Sequence, residues 1–232
     1  VDGSNIKLTI DLQYQGILQD VLNKRMMKSD ARGAMGVLIE PESGKILAIS
    51  SIPDFDPNEP AIYKSETYRN RPITDQFEPG STFKIVPAIA ALNDRVVNSN
   101  EEFHCGDGSY LVGNHEVKDW KKFGLLTFEQ IIENSSNIGT VKIAQLVGKD
   151  RIYDFGNKLG FGKRTGISFP GEAKGVFKTT SKWSSISLAE ISIGYEVAVT
   201  SLQLAMAYGA LANDGFLMKP HLVDEIITSD GK

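Results

Sequence analysis

Apolar and polar positions recur with two different periods along the chain, and the switches between them mark its elements. Ile6 to Ile10 alternates as a short strand. Asp11 then starts a helix running to about Met27, with Leu12, Ile17, Leu18, Val21 and Leu22 spaced for one buried face. Within residues 36–52, Val37-Leu38-Ile39 and Ile46-Leu47-Ala48-Ile49 flank Pro41-Glu42-Ser43-Gly44, which predicts a hairpin with a Gly-containing loop. Residues 53–80 carry five of the nine prolines and few apolar runs, so they predict a long surface-following loop with one short helix. Phe83 to Leu92 then reads as a continuous apolar helix.

Residues 97–124 are polar, with Gly106, Gly108 and Gly113 punctuating short strands. Thr127 to Ile132 starts a helix, Asn134-Ser135-Ser136-Asn137 breaks it, and Ile138 to Val147 resumes it. Asp150 to Leu159 is a further helix ended by Gly160, and residues 161–180 are glycine-rich and irregular. Trp183 to Ile191 reads as helix, Gly194-Tyr195-Glu196 as a turn, and Thr200 to Ala212 as an amphipathic helix closed by Asn213-Asp214-Gly215. His221 to Ile227 is a last strand. Strands early and late around a helical insertion predict an α+β fold with a helical subdomain.

Composition narrows the function classes. With 41% hydrophobic and 23% charged residues the 232-residue chain is an ordinary globular one. A formal charge of −4 without a basic tract argues against nucleic acid as a partner. Cys105 is the single cysteine, which rules out an internal disulfide. His104 beside it lacks further ligands at metal-site spacing, since His115 and His221 offer none nearby, so no metal is expected. No apolar run approaches the ~18 residues of a spanning helix. Val1-Asp2-Gly3-Ser4-Asn5 leads straight into a structured segment, and Ser229-Asp230-Gly231-Lys232 looks like a turn between two strands, so both ends look cut.

The candidate chemistry centres on Phe77-Glu78-Pro79-Gly80-Ser81-Thr82-Phe83-Lys84. A Pro-Gly turn delivers Ser81 to the start of a helix, and Lys84 lies one turn along the same face. A serine hydroxyl becomes nucleophilic when a base takes its proton, and a lysine serves as that base once desolvation lowers its pKa. The helix start also presents backbone N–H groups to a developing oxyanion. A serine capping a buried helix, with a solvated lysine after it, is the plainer account of the same pattern. Ser135 and Asn137 sit in the polar break between two helical runs, where an irregular loop can aim both at one cleft. A hydroxyl there can relay a proton, and a carboxamide can hold a lysine and a substrate amide. Alone, the break also reads as a C-cap followed by an N-cap.

Taken together, Pro79-Gly80-Ser81-x-x-Lys84 and Ser135-x-Asn137 resemble the penicillin-recognising serine enzymes. Arg69-Asn70-Arg71-Pro72-Ile73-Thr74-Asp75, Leu8-Thr9-Ile10-Asp11, Pro53-x-Phe55-Asp56-Pro57-Asn58 and Glu133 to Gly139 extend the likeness to the division-type, class B penicillin-binding proteins. Gly160-Phe161-Gly162 to Glu172, Ile193-Gly194-Tyr195 and Val199-Thr200-x-Leu202-Gln203-Leu204 follow in the expected order, so the resemblance covers nearly all of residues 1–232. It implies one partial transpeptidase domain over 1–232 with the fold shared by penicillin-binding proteins and serine β-lactamases, an antiparallel sheet flanked by helices with a helical subdomain.

The implied activity is D,D-transpeptidation of peptidoglycan stem peptides ending in D-Ala-D-Ala, with acylation by β-lactams and no cofactor. Ser81 would be the nucleophile and Lys84 the general base. Ser135 would pass the proton to the leaving D-alanine, and Asn137 would hold Lys84 and the donor peptide. The resemblance further implies a membrane-anchored parent on the outer face of the bacterial cytoplasmic membrane, with division-machinery and glycosyltransferase partners. The family's third motif, Lys-Thr-Gly or Lys-Ser-Gly, is not found. Lys178-Thr179-Thr180 lacks the glycine and precedes Gly194, and Arg164-Thr165-Gly166 belongs to another family segment. The expectation is therefore a chain lacking its C-terminal strands, with the Val37–Ile49 hairpin partly unpaired. A β-lactam-hydrolysing or β-lactam-sensing serine protein and an inactive divisome scaffold are the alternatives.

Overall fold

The computed structural model describes residues 3–228; the turn expected at Ser229 to Lys232 lies outside them. In chain order the first elements are β1 (Asn5–Leu8), α1 (Leu12–Ser29), β2 (Ala34–Ile39), β3 (Ile46–Ile52), α2 (Arg71–Thr74) and α3 (Ile85–Asn93). There follow β4 (Glu102–Gly106), β5 (Ser109–Val112), β6 (His115–Lys118), β7 (Gly124–Thr127), α4 (Phe128–Glu133) and α5 (Asn137–Val147). The last are α6 (Lys149–Lys158), α7 (Ser187–Ser192), α8 (Ser201–Ala212) and β8 (Val223–Ile227). The strands pair antiparallel as β1–β8, β2–β3, β4–β7 and β5–β6, which with the helices gives the α+β class expected. By contact density the chain divides into two compact units.

The first unit comprises the residues up to 76, Lys163–Lys174 and those from 200 on. Its hairpin forms where the alternation placed it, with Val37 opposite Ile49, Ile39 opposite Ile46, and a bulge between Leu38 and Ile39. Among the described residues β2 and β3 form a two-stranded sheet, and only the start of β3 is bonded further to other backbone, the Ile46 amide to the His221 carbonyl and the Leu47 carbonyl to the Asp11 amide. Ile46, Ile73, Ile167, Leu202 and Met206 form the core of this unit. α8 starts at the Thr200 cap, whose side chain accepts from the Gln203 amide while Gln203 bonds back to Thr200, a reciprocal capping box. The Gln203 carboxamide also donates to the Lys163 and Lys174 carbonyls at 2.6 and 3.0 Å, so a buried polar side chain is fully used as a loop tie. Glu172 ties the same loop by accepting from Thr165 and the Gly166 amide. The proline-rich stretch runs through short 3-10 turns at Pro60–Ile62 and Ser65–Tyr68 before α2.

α1 departs from its expected buried face. Leu12, Ile17 and Val21 are 84, 62 and 57% exposed, and only Leu18 and Leu22 of the five apolar positions are half-buried. The side turned to the hairpin runs through Gln15, Leu18 and Leu22. Gln15 both donates to the Ile49 carbonyl at 3.0 Å and accepts from the Ile49 amide at 2.9 Å, so its carboxamide takes the place of a neighbouring strand. A hydrogen-bonding requirement at the edge of β3 thus sets the rotation of α1, overriding the apolar positions.

The second unit comprises Phe77–Gly162 and Gly175–Val199. Ala91, Phe103, Cys105, Phe128, Ile131, Ile138, Val141 and Ile143 belong to its core. α4 and α5 approach closely because residue 139 is glycine: a Cβ there would lie 2.5 Å from the Ile131 side chain. α7 is shorter than the expected helix from Trp183. Ser184 and Ser187 bond each other and the Ser184 amide donates to Ser187 Oγ, local bonds that compete with a helical start before Ser187. The apolar helix expected from Phe83 begins only at Ile85, preceded by a 3-10 turn over Gly80–Lys84. Pro87 has no N–H to give the Phe83 carbonyl, so a regular α ladder cannot extend back through that turn.

Candidate active site

The turn that carries Ser81 is held by the backbone on its far side. Phe77 and Val199 exchange both of their backbone hydrogen bonds, at 3.0 and 2.9 Å, and the Gly80 amide donates to the Gly194 carbonyl at 3.2 Å. Between these points the Glu196 amide donates to the Glu78 carboxylate. Gly194 has φ +89°, and a Cβ there would come within 2.0 Å of the Gly80 carbonyl oxygen. Only glycine permits this crossing of two main chains. Below the turn, Phe83 is fully buried, with its ring centroid 4.9 Å from that of Phe161 and 5.9 Å from that of Phe177.

The 3-10 form of Gly80–Lys84 matters for the chemistry. Side chains three apart eclipse in a 3-10 turn, so Ser81 and Lys84 share one face more closely than in an α-helix. Ser81 is exposed and, among the described residues, its hydroxyl makes no hydrogen bond; it is not a helix cap. Lys84 is only 3% exposed. Its ammonium donates to the Ser135 carbonyl at 2.6 Å and to Ser135 Oγ at 3.0 Å. Desolvation lowers the Lys84 pKa to about 8, against a smaller opposing pull from the Asp119 carboxylate. At neutral pH roughly a tenth of Lys84 is then the free amine, a state a solvated lysine hardly reaches.

The break between α4 and α5 brings Ser135 to Lys84. Ser135 adopts φ +54°, a left-handed conformation that costs a non-glycine residue of order 1–3 kcal/mol. Its amide donates to the Ile132 carbonyl, and the Ser136 amide to the Ile131 carbonyl. Ser136 is the N-cap of α5, accepting from the Gly139 amide at 2.9 Å. Asn137 does not reach Lys84: its carboxamide donates to the Lys118 carbonyl at 2.8 Å, and among the described residues Ser135 is the one hydrogen-bond partner of the ammonium. The structure therefore assembles Lys84 and Ser135 directly, with Asn137 one residue into the helix and Ser81 across the shared turn face.

Asp119 is the group that motif reading missed. It follows β6, with its amide bonded to the Gly108 carbonyl, and its carboxylate accepts from Ser136 Oγ at 2.7 Å and from the Asn137 and Ile138 amides. Nothing in Val117-Lys118-Asp119-Trp120 marks it, because the contact joins residues 17 to 19 apart. Cys105 belongs to the core of the same unit, 1% exposed, with its thiol pushed up in pKa by burial. Among the described residues no group of three or more His, Cys, Asp or Glu side chains could hold a metal ion.

A buried amine of lowered pKa, beside a second hydroxyl and facing an accessible serine, can take a proton from that serine and pass one to a leaving group. This is the equipment of acyl transfer through a serine ester. The penicillin-binding protein transpeptidase domain matches residues 34–232. The chain is 37% identical over 214 residues to the probable peptidoglycan D,D-transpeptidase PbpC of Pseudomonas aeruginosa, covering 92% of this chain and 38% of that protein. To the probable peptidoglycan D,D-transpeptidase PenA of Neisseria meningitidis it is 34% identical over 231 residues, covering 100% and 39%. Penicillin-binding protein 3 of Mycobacterium tuberculosis, solved with ampicillin, matches at 31% identity and TM-score 0.94 over 100% of this chain and 52% of that one. The chain spans about two fifths of the length of the curated relatives it matches.

Proposed function

This chain belongs to the penicillin-binding protein transpeptidase family, and from that premise we propose that it forms part of a D,D-transpeptidase domain that cross-links peptidoglycan stem peptides through an ester on Ser81. The observation that carries the reading is Lys84, buried, lowered to about pKa 8 and bonded to Ser135. Ser81 Oγ attacks the carbonyl between the two terminal D-alanines while Lys84 takes its proton. The tetrahedral intermediate collapses with loss of D-alanine, whose amine receives the proton through Ser135. An amine of a neighbouring stem then attacks the ester, forming the new amide and restoring the Ser81 hydroxyl. With its N–H engaged by Lys118, the Asn137 carboxamide offers Oδ1 to the N–H of the donor peptide.

β-Lactams present a strained amide to the same serine and acylate it, which the ampicillin complex of the mycobacterial relative supports. The whole protein acts on peptidoglycan outside the cytoplasmic membrane; no described helix is long and apolar enough to cross a membrane. Division-machinery and glycosyltransferase proteins are its proposed partners. Intact mass after incubation with benzylpenicillin tests the reading. An adduct of one drug mass on this chain, absent from Ser81→Ala, is expected. An adduct that persists in Ser81→Ala, or none on either chain, would refute it.

A further inference from the structure

Resting on the acyl-transfer reading, we propose that Asp119 is a positioning residue of the site, one carboxylate that fixes the Ser135–Asn137 turn so that both oxygens of Ser135 face the Lys84 ammonium. Three donors from three consecutive residues converge on it: Ser136 Oγ, the Asn137 amide and the Ile138 amide. Two of these are orphan N–H groups of the first turn of α5, where a carboxylate is favoured by the helix dipole as well as by hydrogen bonding. A left-handed non-glycine residue such as Ser135 persists only where its neighbours over-determine the turn. The Ser135 carbonyl, which receives the shorter Lys84 bond, is aimed by that conformation. Without the grip on residues 136–138, Ser135 would relax toward right-handed values and its carbonyl would swing away from Lys84.

The same carboxylate acts on Lys84 at a distance. It opposes desolvation and, among the described residues, is the one ionisable group that shifts the lysine. Lys118 of β6, the charged side chain next to Asp119, is paired with Glu116. Lys142 of α5 donates to the His104 carbonyl, and Glu190 of α7 is paired with His115. Asp119 therefore links two properties that would otherwise be independent, the aim of Ser135 and the proton affinity of the base.

The test is Asp119→Asn, isosteric and uncharged, read three ways on the whole chain. Hydrogen exchange follows the Asn137 and Ile138 amides, NMR follows the Lys84 ε-methylene through its titration, and fluorescent penicillin gives the acylation rate. Faster exchange at both amides, a Lys84 midpoint displaced to lower pH, and acylation slowed by about 10- to 100-fold are expected. Unchanged exchange together with an unchanged Lys84 midpoint would overturn the proposal. Should the unsubstituted chain resist acylation, the transpeptidase reading falls while exchange and titration still decide this one. If Asp119→Asn fails to fold, Asp119→Glu keeps the charge on a longer stem. It is expected to hold the Lys84 midpoint yet slow acylation, and acylation at the unsubstituted rate would overturn the assignment.

Discussion

Lys84 is held at 3% exposure with no carboxylate in contact, and it is this burial that favours the neutral amine, against its bonds to a carbonyl and a hydroxyl. The folded pKa, about 8, lies below the ordinary value of 10.5, so between these limits the unfolded chain binds more protons. Stability should then rise as pH increases from 8 to 10.5, by up to about 3 kcal/mol for this group alone. In Lys84→Met that rise should vanish from urea unfolding midpoints measured at both pH values. Near pH 7 the variant should lose no stability, because the desolvated charge is gone. Its acylation should fall by about 10³-fold or more, since the base is removed. Acylation of the unsubstituted chain should climb with pH through a midpoint near 8, and a flat profile would contradict the assignment of Lys84 as base.

At the scale of elements, the crossing of Gly194 over Gly80 does what a hydrogen-bonded strand pair does elsewhere, but in one contact. Gly194→Ala should cost at least about 1–3 kcal/mol from its positive φ alone, with a further penalty for the 2.0 Å overlap. Calorimetry should show a lowered Tm, and acylation should fall with it because the overlap pushes on the Ser81 turn. A variant that melts and acylates like the unsubstituted chain would mean the crossing relaxes freely. The elements themselves were legible to different degrees. The hairpin pattern at 37–49 and the capping box at Thr200 and Gln203 are local signals, and the structure follows both. The rotation of α1 was not, because Gln15 answers to a strand edge 34 residues away. Pro87 is a local sign that α3 starts late, set within an apolar run that by itself signals helix from Phe83.

For the whole molecule, the two compact units are each assembled from separated stretches of chain, the first from three and the second from two. Ser81, Lys84, Asp119, Ser135 and Asn137 all belong to the second. Motif reading proposes four of these five: Ser81 and Lys84 from their spacing on one turn, Ser135 and Asn137 from the polar break between two helical runs. Asp119 serves the site through tertiary contacts only, and spacing cannot reveal such a residue. Cys105, closed in behind the Ser136 turn as the sole thiol, gives the molecule a built-in clock. A disulfide reagent can meet that sulfur only when the core packed around it opens. Its reaction rate therefore reports how often the core of the second unit opens, without any introduced label. Acylated chain should react more slowly than free chain if the ester tightens that core, and equal rates would mean the core opens independently of what Ser81 carries.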